Sequence, residues 1–172
     1  KIIDIASVGV TDLIGTGIVA IFWFYIAAEL GPKNYGELTF LISIAAIVSG
    51  ITLFGSNNTV WVLGAKKIDI HRTIFFITTI TSVIGAIIIL ILFLNVGVSL
   101  LVLAYVLLGL IISDFLGKKL YLTYSKYVIT QKILMVSFGI GAYYLIGEDW
   151  ILIGIAASYA HLIFPMIKTM KK

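Results

Sequence analysis

One carboxylate in this sequence stands where no loop can hold it. Asp12 falls about two turns into an apolar run, beside Thr11 and with Gly15 and Thr16 at helical spacings of three and four. An ionised carboxylate at the centre of a membrane helix costs about 2.5–3.5 kcal/mol on insertion scales, so it needs polar company. Two readings fit. Asp12, with Thr16, contacts a cation, a proton or polar substrate groups inside a cavity, or it is a hydrogen-bond partner buried between helices near one interface. His161, close to Ser158 and Tyr159, is a candidate proton relay, although a hydrogen bond across helices accounts for it as well. Ser56, Asn57, Asn58 and Thr59 either line a vestibule or close a helix end. Lys66, Lys67 and Arg72 cluster in one gap and are candidate contacts for anionic headgroups, while His71 between them reads as a solvated loop residue.

Little other chemistry is available. There are two His and no Cys, so disulfides, thiolates and cysteine metal sites are excluded and no metal or cofactor is expected. No HExxH and no phosphate-binding loop occurs, which argues against hydrolytic enzymes. The net charge of +4 has a simpler cause than nucleic acid, because the basic residues flank apolar runs and interleave with no aromatic stripe.

The elements that must position these residues follow from hydropathy. The chain is 61% hydrophobic and 12% charged, with continuous apolar runs at 5–28, 38–54, 73–94, 96–115, 128–146 and 150–167. Crossing about 30 Å of hydrocarbon takes about 20 apolar residues per helix. The fold class expected is therefore all-α integral membrane, with six transmembrane helices over residues 1–172 as a single unit. The runs lack the alternating pattern of membrane barrel strands. Sorting the basic residues into alternate gaps places Lys1, Lys66, Lys67, Arg72, Lys118, Lys119, Lys126, Lys132, Lys168, Lys171 and Lys172 on one face, against Lys33 alone on the other. Basic residues are retained in the cytoplasm, so both termini are expected there, in the plasma membrane of the cell. No cleavable signal peptide is expected, and a chain opening on Lys is expected to lack its true N-terminus.

Gly31 and Pro32 should end the first helix. The second run is able to continue past Gly55 as one long helix to Leu63. Asn95 to Ser99 forms a short outer turn, Asp114 and Lys118 are spaced for a helical ion pair, and Lys132 can snorkel to the inner interface. Trp23, Tyr25, Tyr143, Tyr144 and Trp150 suit an outer aromatic belt. Gly154 and Ser158 form a small-xxx-small packing pattern, and Pro165 marks a kink or helix end.

The pattern Ala28-x-Leu30-Gly31-Pro32-x-x-Tyr35-Gly36 after a Gly- and Thr-containing first span resembles the start of polysaccharide flippases of the multidrug/oligosaccharidyl-lipid/polysaccharide exporter superfamily. The span ending in Phe54-Gly55 and a polar stretch, and the basic, aromatic segment 118–132, are similar to that family too. The resemblance implies a transporter of twelve to fourteen spans in two six-helix lobes. This chain would be the N-terminal lobe, with the second lobe of the same chain missing. It also implies alternating access that carries a lipid-linked oligosaccharide from inner to outer leaflet, with membrane lipids as partners. Relatives often carry a basic residue soon after the glycine of the second span, where this chain has Val60-Trp61-Val62. The headgroup contact then falls to Lys66, Lys67 and Arg72 or to the missing lobe. Two rivals stand beside the flippase: an ion-coupled drug or metabolite antiporter with Asp12 as coupling carboxylate, and a non-transporting membrane scaffold subunit.

Overall fold

The computed structural model describes residues 2–68 and 71–170, so Lys1, Lys171 and Lys172 of the charge pattern lie outside the described residues. Among the described residues every regular element is helical: α1 (Ile2–Leu53), α2 (Ser56–Ala65), α3 (His71–Phe93), α4 (Val96–Gly117), α5 (Tyr121–Leu145), α6 (Ile151–Ala157) and α7 (Ile163–Met170). Short 3₁₀ turns at Glu148–Trp150 and Ala160–Leu162 precede and follow α6. Among the described residues, five helical stretches are long and apolar enough to cross a membrane: Ala6–Leu53, His71–Phe93, Val96–Gly117, Tyr121–Leu145 and Glu148–Thr169.

The first of these is broken in the middle. Gly31 has φ 70° and ψ 173°, a conformation essentially confined to glycine, and Pro32 follows it with a fixed φ suited to starting a helix. The two arms of α1 run in opposite directions. Asp12 meets Tyr124, and Tyr25 meets Tyr144 by a contact between hydroxyls, so the first arm is parallel to α5. The second arm starts beside Asn95, where Leu38 and Leu41 share a cavity with it, and ends where the Thr81 hydroxyl donates to the Thr52 carbonyl at 3.0 Å. It is therefore antiparallel to α3. Continuation to Leu63 as one helix does not occur. Phe54 and Gly55, both at positive φ, interrupt the run before α2.

The turns segregate by charge. Asn34 and Glu37 after Gly31, Asn95 before α4, and Glu148 and Asp149 before α6 line one cavity of about 280 Å³ and define an acidic end. Lys67, His71, Lys118, Lys119 and Thr169 meet at the other, basic end. Asn95 caps α4, its side chain accepting from the Val98 amide at 3.1 Å.

At the centre stands α4, with Val98, Leu101, Val102, Val106, Leu110 and Ile111 buried against the neighbouring helices. Large apolar side chains such as Leu13, Phe24, Ile91 and Leu92 face outward, as lipid contact allows. Lipid removes the hydrophobic drive between helices, so association rests on close packing at small residues. A Cβ at Gly154 would overlap the Phe138 carbonyl oxygen of α5, and one at Gly97 would lie 2.6 Å from Leu152 Cβ. Gly154 acts as the packing residue that its spacing predicts.

Candidate functional site

The first arm of α1 and α5 frame a lateral cavity of about 310 Å³ floored by Leu108 and Ile112 of α4. Its polar lining is Asp12, Thr16, Tyr124, Gln131 and Lys132. The Tyr124 hydroxyl donates to Asp12 Oδ1 at 2.6 Å, and the Thr16 hydroxyl donates to the Asp12 carbonyl at 2.7 Å. The Lys132 stem runs past Gly15, where a Cβ would stand at an ordinary contact distance of 3.5 Å from Lys132 Cγ. The Lys132 ammonium lies within electrostatic reach of Asp12. A carboxylate, an ammonium, a phenol, a hydroxyl and an amide thus converge in an otherwise apolar wall. Such a set can bind polyols, phosphates or cations.

Gln131 joins this cavity to a break in the last transmembrane stretch. Its side chain is fully buried, with Nε2 3.5 Å from Ser158 Oγ and Oε1 without a hydrogen-bond partner. The helix gives way at Ser158 to a 3₁₀ turn before resuming at Ile163. His161 lies in that turn, its Nδ1 donating to the Ser158 carbonyl at 2.8 Å and its ring stacked on Tyr127 with centroids 5.8 Å apart. His161 Nε2 is buried and unpartnered. Pro165 falls in the first turn of α7, where its missing N–H costs nothing.

A second polar cluster sits at the basic end. Asp114 is only 2% exposed and accepts from Lys118 Nζ at 2.7 Å, the pair its spacing predicts. Thr169 of α7 donates to the same carboxylate at 3.3 Å, and His71 Nδ1 lies 3.0 Å from Oδ1, off the line of a hydrogen bond. His71 is therefore no solvated loop residue. It is buried at the start of α3 and drawn to a carboxylate that also holds α4 and α7.

The sequence candidates do not form one site. Asp12 and Thr16 share the lateral cavity. Asn57 and Asn58 do not line it; they stand in the first turn of α2, the Asn58 amide donating to Asn57 Oδ1 at 2.9 Å. His161 reaches the cavity only through Ser158 and Gln131. Of the headgroup candidates, Lys67 lines the basic-end cavity, whereas Lys66 and Arg72 are exposed outside it. Sequence reasoning missed Tyr124 and Gln131. The signal was present: Tyr124, Val128, Gln131, Met135 and Gly139 recur every three or four residues on the buried face of α5, and an amide on such a face needs partners.

No protein-family profile, no curated protein and no solved structure matches this chain.

Proposed function

We propose that the chain is one lobe of a membrane transporter that moves lipid-linked oligosaccharide precursors from the inner to the outer leaflet by alternating access. In this reading the two arms of α1 are separate crossings, giving six spans with the basic end cytoplasmic, as basic residues near helix ends favour. Both termini then lie on the cytoplasmic face of the cell membrane. A second lobe of like orientation would complete the transport path.

The observation that carries the reading is the lateral cavity between the first arm of α1 and α5. Polar groups deep in a membrane helix face a cavity or a substrate path rather than lipid. Here they gather on one side of an apolar bundle, where a substrate can keep its acyl tail in lipid while its head enters. Asp12 and Thr16 supply hydrogen bonds to sugar hydroxyls, and Lys132 supplies charge for a phosphate linkage. The broken stretches at Phe54–Gly55 and at 158–162 support movement, since discontinuous helices absorb a change of angle in a few residues.

The test is translocation by the full-length protein in proteoliposomes, read as exposure of a lipid-linked oligosaccharide to an impermeant glycosidase. Asp12→Asn and Lys132→Gln should each slow transport about tenfold or more while leaving the amount of inserted protein unchanged, in line with losing one charged hydrogen bond. Unchanged rates in both variants would overturn the reading.

The contact between the Tyr124 phenol and the Asp12 carboxylate favours a second reading, an ion-coupled drug or metabolite antiporter. Under it, Asp12→Asn would abolish dependence on an imposed proton or sodium gradient but spare exchange without one.

A further inference from the structure

Residues 63–68 read Leu-Gly-Ala-Lys-Lys-Ile, and residues 115–120 read Phe-Leu-Gly-Lys-Lys-Leu. The two segments end α2 and α4 in the same way. In the first, the Ile68 amide donates to the Leu63 carbonyl at 3.0 Å and the Lys67 amide to the Gly64 carbonyl at 3.1 Å. In the second, the Leu120 amide donates to the Phe115 carbonyl at 2.8 Å and the Lys119 amide to the Leu116 carbonyl at 3.1 Å. Both are Schellman caps, whose left-handed position normally takes Gly or Asn. Here it is lysine each time, Lys67 at φ 59° and Lys119 at φ 58°. The favourable interaction of a cation with a helix C-terminus does not require this, because Lys66 and Lys118, one residue earlier, already meet it without strain.

The twin caps abut. A Cβ on Gly64 would lie 3.3 Å from Gly117 Cα, and one on Gly117 would lie 2.9 Å from the Trp61 carbonyl oxygen. This backbone contact brings Lys67 and Lys119 to one cavity of about 410 Å³, which Ile68 and Thr169 also line. Asp114 engages Lys118 and His71 from within. Among the described residues, neither Lys67 nor Lys119 has a carboxylate within ion-pair distance. Two lysines held in left-handed caps thus share a pocket with a hydroxyl and an exposed aliphatic wall at Ile68.

We propose that this basic-end cavity, formed by the paired caps of α2 and α4, binds the phosphate of an anionic phospholipid headgroup through Lys67 and Lys119. Three donors on each ammonium meet the phosphate oxygens, and Ile68 lies beside the glycerol and upper acyl chain. The site is separate from the Asp12 cavity and does not depend on what that cavity transports.

Lipid binding to the purified, delipidated full-length protein tests it, by native mass spectrometry with phosphatidylglycerol, phosphatidylcholine and inorganic phosphate as probes. Two double variants remove the same charge: Lys67→Gly with Lys119→Gly, and Lys66→Gln with Arg72→Gln. The glycines also relieve the left-handed backbone, so a loss of binding in that variant does not trace to a misformed cap. The expected result is about a tenfold or greater loss of phosphatidylglycerol affinity in the cap variant and little change in the other, with phosphatidylcholine weak throughout. Equal losses in both variants would mean diffuse surface charge and overturn the site. Displacement of phosphatidylglycerol by millimolar inorganic phosphate would retain the phosphate chemistry and overturn the lipid as its source.

Discussion

Asp114 and Asp12 show how differently two carboxylates on apolar helices can be used. Asp114 is buried and surrounded by groups from three helices, with Lys118, His71 and Thr169 all within 3.3 Å of its oxygens. That arrangement fastens helix ends. Asp12 is exposed to a cavity and, among the described residues, has one side-chain donor, Tyr124, which leaves an oxygen for a ligand. Asp114→Ala strips the partner from the buried His71 and should destabilise the solubilised protein by about 1–3 kcal/mol in a thermal or denaturant melt. Lys118→Met should cost less, because the lysine side chain is 36% exposed and partly screened by its surroundings. Equal losses would refute the fastening role. Sequence spacing alone predicts the Asp114–Lys118 pair, since the two share a helix. The arrival of His71 and Thr169 depends on how α3 and α7 pack, and local pattern carries no record of that. Asp12 is conspicuous for its depth, yet its partners Tyr124 and Lys132 lie more than a hundred residues away.

At the scale of elements, composition locates the apolar stretches well and their interruptions less well. Gly31-Pro32 is a legible stop, because one residue permits a backbone that others avoid and the next lacks a donor. The break at Phe54–Gly55 is harder to read, as apolar and polar helix formers continue on both sides of a single glycine. The break at 158–162 contains no glycine or proline itself but runs directly into Pro165, which has no N–H to offer the His161 carbonyl and is the kink signal that the sequence carries. Glycine spacing is informative about contact but not about which neighbour is touched. Gly154→Ala must push α6 away from the Phe138 carbonyl and should destabilise by about 1–3 kcal/mol. Gly141→Ala in α5, where a Cβ meets nothing within 4 Å, should be neutral or slightly stabilising. Chemical denaturation of the two variants in one detergent compares them directly, and a neutral Gly154→Ala would argue against the helix contact.

For the whole molecule, the basic and acidic turns separate to opposite ends, as the alternation of charge along the sequence predicts. The orientation proposed above puts the basic end in the cytoplasm, where basic residues are retained. The sequence contains no cysteine, so single introduced thiols can report the orientation without background. Lys33→Cys should react with an impermeant maleimide on intact cells, whereas Lys66→Cys should react only after permeabilisation. Labelling of both from one side would sink the orientation proposed above. The lateral cavity is a property of this scale too, and it was only half legible. Each wall carries its own polar residues, and they become a set only when the first arm of α1 lies parallel to α5.

The turns at the acidic end are very short. One glycine reverses the chain at Gly31, Leu94 and Asn95 suffice between α3 and α4, and Ile146 and Gly147 lead from α5 into a single 3₁₀ turn. This bears on biogenesis. If the basic end stays in the cytoplasm, the protein enters the bilayer as three closed hairpins, each carrying only a small knot of polar atoms to the far side. The charges taken across are few and mostly acidic, Glu29, Glu37, Glu148 and Asp149 with Lys33, while the heavily charged connections never leave the side on which they were made.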